Sequence, residues 1–256
     1  FYTTSAASAE KHTGGVRIPV ERRGNRIEAW LIGPPNPFST DGSELRVPFT
    51  LVLDEANGGA ALRVAGQSIR LRPGEYSPWV RVAFRTGVFP RVWGICRFYL
   101  KNLAPDVELY VTPIQIDPRK PALPISHPFV YAVYLAKLLG SYATLGLAED
   151  TWALNERVLD DEAFLSQCWL IHEERERMFF DALEKTRRGL CACVFDITDR
   201  LQHMFYRYED DGHPALTGAD AVAYSHVIDQ LYQSMDDLVG RVLDARRVMA
   251  TLSDVS

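Results

Sequence analysis

Hydrophobic and polar positions recur with a period of two through the first half of the chain and with a period near 3.6 through most of the second. In the first half, residues 16–20 and 27–32 flank Arg23, Gly24 and Asn25, a sequence suited to a tight hairpin turn. Pro19 demotes its own strand to an edge or a bulge, and Pro48 lacks a ladder proton, so the next strand is expected over 49–53. Short strands at 61–64 and 68–71 are split by Gly66. Val80, Val82 and Phe84 alternate with Arg81, Ala83 and Arg85, the mark of a half-buried strand. Further strands are expected at 92–100 and 107–112. Many short strands punctuated by Gly and Pro predict an antiparallel sandwich or partial barrel.

Pro118, Pro121, Pro124 and Pro128 bar a helix through 117–128 and make that stretch a stiff connector. Beyond it, 129–139 is apolar at helical spacing. Asp160 or Asp161 is placed to cap a long helix reaching about Arg188, with Phe164, Cys168, Ile171, Arg175, Met178 and Ala182 along one face and Gly189 as its stop. Residues 190–195 are all apolar and read as a strand of a parallel sheet covered on both faces. A short helix is expected over 199–208. A capping-box-like start at 217–220 precedes a helix with Tyr224, Ile228, Leu231, Met235, Leu238 and Val242 on one face. A last strand is expected at 248–252, parallel to 190–195. The second half thus reads as doubly wound α/β, in which polar residues past the carboxyl ends of strands are site candidates.

Composition narrows the classes. With 256 residues, 47% hydrophobic and 24% charged, the chain can build one large core or two smaller ones, which excludes collagenous and wholly disordered readings. A net charge of -5 without a basic block argues against a duplex nucleic-acid binder. No stretch reaches eighteen uninterrupted apolar residues, so no membrane-spanning segment is expected. The four cysteines read as free thiols and lean towards a cytoplasmic setting. Phe1 at one end and Asp254, Val255 and Ser256 at the other suggest an interior piece of a longer protein.

The chemistry-bearing segment is FDITDRLQHMFYR at 195–207. Asp199 and His203 are four residues apart, so one helical turn sets a carboxylate and an imidazole on one side, a pair suited to a divalent transition metal. The alternative is a helix start in which Asp199 or Thr198 caps and His203 packs. Asp254, at the end of the last expected strand, is a third candidate. Asp196 is weighed as an orienting group or a simple cap, Arg200 as a phosphate contact or a solvent ion pair, and His213 as a substrate contact or a plain loop residue.

Several segments together resemble one family. GEYSPWV at 74–80, RFYL at 97–100, LYVTPI at 109–114, PISHP at 124–128, GLAEDTWALN at 146–155 and, most closely, 195–207 are similar to the type I phosphodiesterase/nucleotide pyrophosphatase group of the alkaline phosphatase superfamily. The resemblance implies a partial alkaline-phosphatase-like doubly wound sheet carrying a large antiparallel β insertion domain. It divides the chain into a leader (1–15), an insertion or cap (16–116), the connector (117–128) and a partial metallohydrolase domain (129–256). It also implies two divalent metal ions, zinc for choice with manganese as the alternative, with Asp199 and His203 on one ion and Asp254 on the other. Val255 stands where the pattern has a ligand histidine, and the nucleophile is expected upstream of Phe1. The implied activity is a metal-dependent phosphodiester or phosphomonoester hydrolase acting on a phosphate-ester small molecule or nucleotide. This chain itself would be inactive for want of nucleophile and ligands. The alternatives are a phosphomutase-like relative and a non-catalytic β-sandwich binding module. A groove on the β half lined by exposed aromatic residues would favour the binding module.

Overall fold

The computed structural model describes residues 1–5, 15–36, 38–39, 42–86, 91–210, 212–214, 216 and 223–253. The chain forms two compact units, Phe1–Gln167 and Cys168–Ser256. Strands dominate the first and helices the second, a mixed architecture with separate β and α regions.

In the first unit the strands are β1 (Tyr2–Thr3), β2 (Ile18–Pro19), β3 (Arg22–Arg23), β4 (Arg26–Pro35), β5 (Glu44–Asp54), β6 (Gly59–Val64), β7 (Gln67–Leu71), β8 (Val80–Phe84), β9 (Val92–Cys96), β10 (Phe98–Asn102), β11 (Glu108–Val111) and β12 (Gln115–Ile116). Among the described residues they make three sheets, ordered β3-β4-β5-β6-β7, β12-β9-β8 and β10-β11-β1-β2. The expected turn is present, but it joins β3 to β4, with Gly24 in the left-handed region at φ 61°. Residues 18–19 pair instead with Tyr2 and Thr3, in parallel. The strand expected over 92–100 is broken at Arg97, and its halves join different sheets.

Strand β5 starts before Pro48 and runs through it. The ladder to β6 begins only at Phe49, so Pro48 has one strand neighbour, β4, where it faces Trp30. A residue without an amide proton is tolerated on such a stretch. The alternation is strict: Leu45, Val47, Phe49, Leu51 and Leu53 are buried, while Glu44, Arg46 and Pro48 are exposed. With Leu62 and Val64 of β6, and Val80, Val82 and Phe84 of β8, they form the core of this unit. Burying a side chain of this size contributes roughly 1.5–3 kcal/mol. A β-carbon on Gly33 would lie 2.2 Å from the Phe84 ring, so β4 passes this wholly buried ring only with glycine there. The unit also carries α1 (Val130–Leu138) and α2 (Thr151–Asn155), the latter capped by the Asp150 carboxylate, which accepts from the Ala153 amide.

Helix α3 (Asp161–Lys185) passes from the first unit into the second. The second unit continues with α4 (Ile197–Phe205), a 3-10 turn at Tyr206–Tyr208, and α5 (Val227–Ser253). Ile197, Leu201 and Phe205 recur every four residues on α4 and are buried where it packs on α5. The Phe205, Tyr208 and Tyr224 rings cluster there, with centroids 5.2–5.9 Å apart.

Both strands of the expected parallel sheet are absent. Residues 190–195 alternate between exposed and half-buried but pair with no described strand, and Leu190 and Val194 are 88% and 75% exposed. Residues 248–252 lie inside α5, where an apolar run continues a helical turn already under way. The helix start expected at 217–220 lies outside the described residues.

Candidate functional site

The sequence candidates fall on or beside α4. The helix does bring Asp199 and His203 together across one turn: His203 Nε2 lies 3.3 Å from Asp199 Oδ1, with side chains 70% and 54% exposed. The other Asp199 oxygen accepts from Arg200 Nη1 at 2.5 Å, so a cation already sits on this carboxylate. Asp196 occupies the N-cap position but makes no capping bond; its Oδ2 accepts from Arg175 Nη1 of α3 at 2.8 Å. His213 is half-buried in a turn, its amide donating to the Asp210 carbonyl at 2.9 Å. Asp254 lies outside the described residues.

This arrangement corrects the expected metal centre. Among the described residues no group of three or more His, Cys, Asp or Glu is placed to hold a metal ion. A zinc or manganese site needs convergent ligands, and the exposed Asp199–His203 pair offers two, one of them already engaged by Arg200. The expected description as a zinc-binding hydrolase or phosphodiesterase falls with it. Spacing found the helical pair correctly. What failed was convergence, which needed a sheet edge that 190–195 does not form.

A different site is assembled in the β unit. An open groove of about 930 Å³ runs over the outward faces of β5, β6 and β8. The alternation that sends Val47, Phe49 and Val64 inward sends Arg46, Pro48, Thr50 and Arg63 outward. Register sets Thr50 directly opposite Arg63 and Trp30 directly opposite Pro48. Arg81 and Ala83 come from the outward phase of β8, Arg85 follows that strand, Arg91 precedes β9, and Trp93 opposes Ala83. Five arginines and two tryptophans therefore line one trough, and among the described residues no Asp, Glu, His or Cys does.

The five arginines are not equivalent. Arg81 donates through Nε and Nη2 to Asp117 Oδ2 at 2.6 and 2.5 Å, and its guanidinium lies 4.9 Å from the Trp93 ring centre. Arg46 reaches Glu44 at 3.4 Å. No described carboxylate pairs with Arg63, Arg85 or Arg91, which leaves about three uncompensated positive charges in a chain of net charge -5. Beyond Trp30 the surface changes: Arg23 pairs with Glu21 at 2.9 Å and Arg26 approaches Glu28 at 3.7 Å, so the positive field ends there. Trp30 is 54% exposed, and its carbonyl accepts from Tyr2 Oη at 2.7 Å.

The sequence contained the polar phase of each strand but not the register that stacks those phases side by side. Arg46, Arg63, Arg81, Arg85 and Arg91 are spread over 46 positions, so no basic block marks them. Among the described residues, no helix is long and apolar enough to cross a membrane. No family model matches the chain, and no curated protein or solved structure matches it either.

Proposed function

We propose that the β unit is a non-catalytic binding module whose groove takes a phosphate ester bearing a planar ring, of the small phosphate-ester or nucleotide class. The observation that carries this is three guanidiniums without a carboxylate partner lining one open groove beside an exposed tryptophan. Guanidinium forks match phosphate oxygens in a bidentate way, and a free indole face accepts a planar ring. The lining also supports binding over chemistry. Its hydroxyl, on Thr50, has no histidine or carboxylate in the groove to act as its base.

Calorimetric titration with phenyl phosphate and with inorganic phosphate tests the proposal. Phenyl phosphate is expected to bind more tightly, and both are expected to lose binding in the Arg63→Gln/Arg85→Gln/Arg91→Gln variant. Absence of saturable binding by either compound would refute the module. So would hydrolysis of p-nitrophenyl phosphate that vanishes in the triple variant.

A further inference from the structure

We infer that the physiological occupant of this groove is a single-stranded nucleic acid, a chain of phosphate esters each bearing a planar base; the inference rests on the groove reading above and extends it. Three features point to a chain. First, the unpaired charges do not all fall at one point. Arg85 and Arg91 flank the end of the β8–β9 pairing, where Phe84 opposes Val92, while Arg63 sits on β6 of another sheet, so the charges fall at two places in the trough rather than in one cup around one phosphate. Second, the trough is open and broad. From Arg46 to Thr50 the β5 backbone covers about 13 Å, and the step from β4 across β5 to β6 adds about 10 Å of width. Third, Trp30 presents its indole on the outward sheet face, opposite Pro48, whose ring offers a flat apolar floor and no competing charge.

A backbone-tracking positive groove combined with an aromatic platform is the general solution for binding single strands without reading their sequence. The sides taken by phosphates and bases are also constrained. The chain's phosphates lie towards Arg63, Arg85 and Arg91, while the base stacked on Trp30 meets the charge-balanced surface of Glu21, Arg23, Arg26 and Glu28. The acidic balance of the whole chain does not oppose this, because these charges act within a Debye length of about 8–10 Å at physiological salt.

The test is fluorescence anisotropy of the whole chain with a fluorescein-labelled 12-mer of uridine, alongside a labelled heparin oligosaccharide and a 12-base-pair duplex. The uridine oligomer is expected to bind best. Three neutralised phosphates give an affinity loss of about 20-fold between 50 and 200 mM salt. Trp30→Ala is expected to weaken the oligomer about tenfold or more while leaving the melting temperature unchanged, because the side chain is more than half exposed. Heparin binding as tight as the oligomer, with Trp30→Ala without effect on either, would overturn the nucleic-acid inference and leave the anion-binding module standing. Preference for the duplex would overturn it in the same way. If none of the three probes binds, or if oligomer binding survives Arg63→Gln/Arg85→Gln/Arg91→Gln intact, both the inference and the module fall.

Discussion

Arg81 lines the groove, yet its main work is beneath it. The Asp117 side chain is fully buried and its Oδ2 receives both Arg81 donors, while Oδ1 accepts from the Arg119 amide at 2.9 Å. Replacing Arg81 with Leu keeps most of the side-chain bulk and strands an ionised oxygen with no donor. Breaking a buried pair by removing one partner costs about 3–5 kcal/mol. Because Arg81 itself is 32% exposed, water can reach part of the gap, and the lower end, about 3 kcal/mol, is expected. For a unit of this length that lowers the melting temperature by about 6–12 °C. Urea and thermal unfolding of four proteins measure the effect: the parent, Arg81→Leu, Asp117→Asn and the double variant. The double variant should recover at least about 1 kcal/mol relative to Arg81→Leu, since the amide removes the stranded charge and still accepts from Arg119. Arg63→Leu, with no carboxylate to abandon, should stay within about 0.5 kcal/mol of the parent. If Arg81→Leu also stays within that margin, Asp117 is not paired as described and the division of the groove into committed and free arginines is wrong.

Other outcomes follow from the second unit. Asp199→Ala and His203→Ala are each expected to change stability by no more than about 0.5 kcal/mol, and zinc or a chelator should leave the melting temperature of the parent unchanged; a zinc-dependent rise abolished by His203→Ala would restore a metal site. His172 is buried between the Trp169 and Phe195 rings; its Nε2 lies 3.1 Å from Glu176 Oε1, yet neither ring nitrogen has a hydrogen bond of acceptable geometry. Burial lowers its pKa below the ordinary 6.5, against an upward pull from Glu176 and with smaller downward pushes from Arg175 and Arg241. The unfolded state then binds more protons between the two values, so stability should fall as pH drops through about 6.5 and stop falling below the folded value. His172→Gln should flatten that part of the pH profile, and a profile identical to the parent's would refute the assignment.

Local alternation was legible wherever the partner strands fell into the register it implied. The Val80, Val82 and Phe84 phase is wholly buried as its period predicts, and α3 runs close to the 160–188 anticipated from its face and caps. Pro48 misled because its cost depends on whether a neighbour asks for its proton, which only the end of the β6 ladder reveals. The 248–252 run misled for another reason. A short apolar stretch has the same composition in a strand as in a buried helix, and no proline separates it from the helix that starts at Val227. At 190–195 an apolar run was read as a strand, but a strand exists only when something pairs with it. The candidate site shows the same limit in reverse. Asp199 and His203 are neighbours by helical arithmetic alone, whereas the arginine groove depends on three strand pairings that no local rule supplies.

The anchoring of Trp30 has a thermodynamic consequence. Its strand is held by the β5 ladder on one side, and its own carbonyl is gripped by the hydroxyl of Tyr2, a residue only 4% exposed. The backbone carrying the indole is therefore already immobile before any ligand arrives, and only the two side-chain torsions remain to be fixed. Ordering a rotamer-rich side chain costs roughly 0.5–1.5 kcal/mol, whereas ordering a loop costs that much several times over. A ring landing on Trp30 meets a surface whose entropy was surrendered at folding. Amide exchange along β4 should accordingly be as slow in the free protein as in the bound one, with ligand-induced protection confined to residues that touch it.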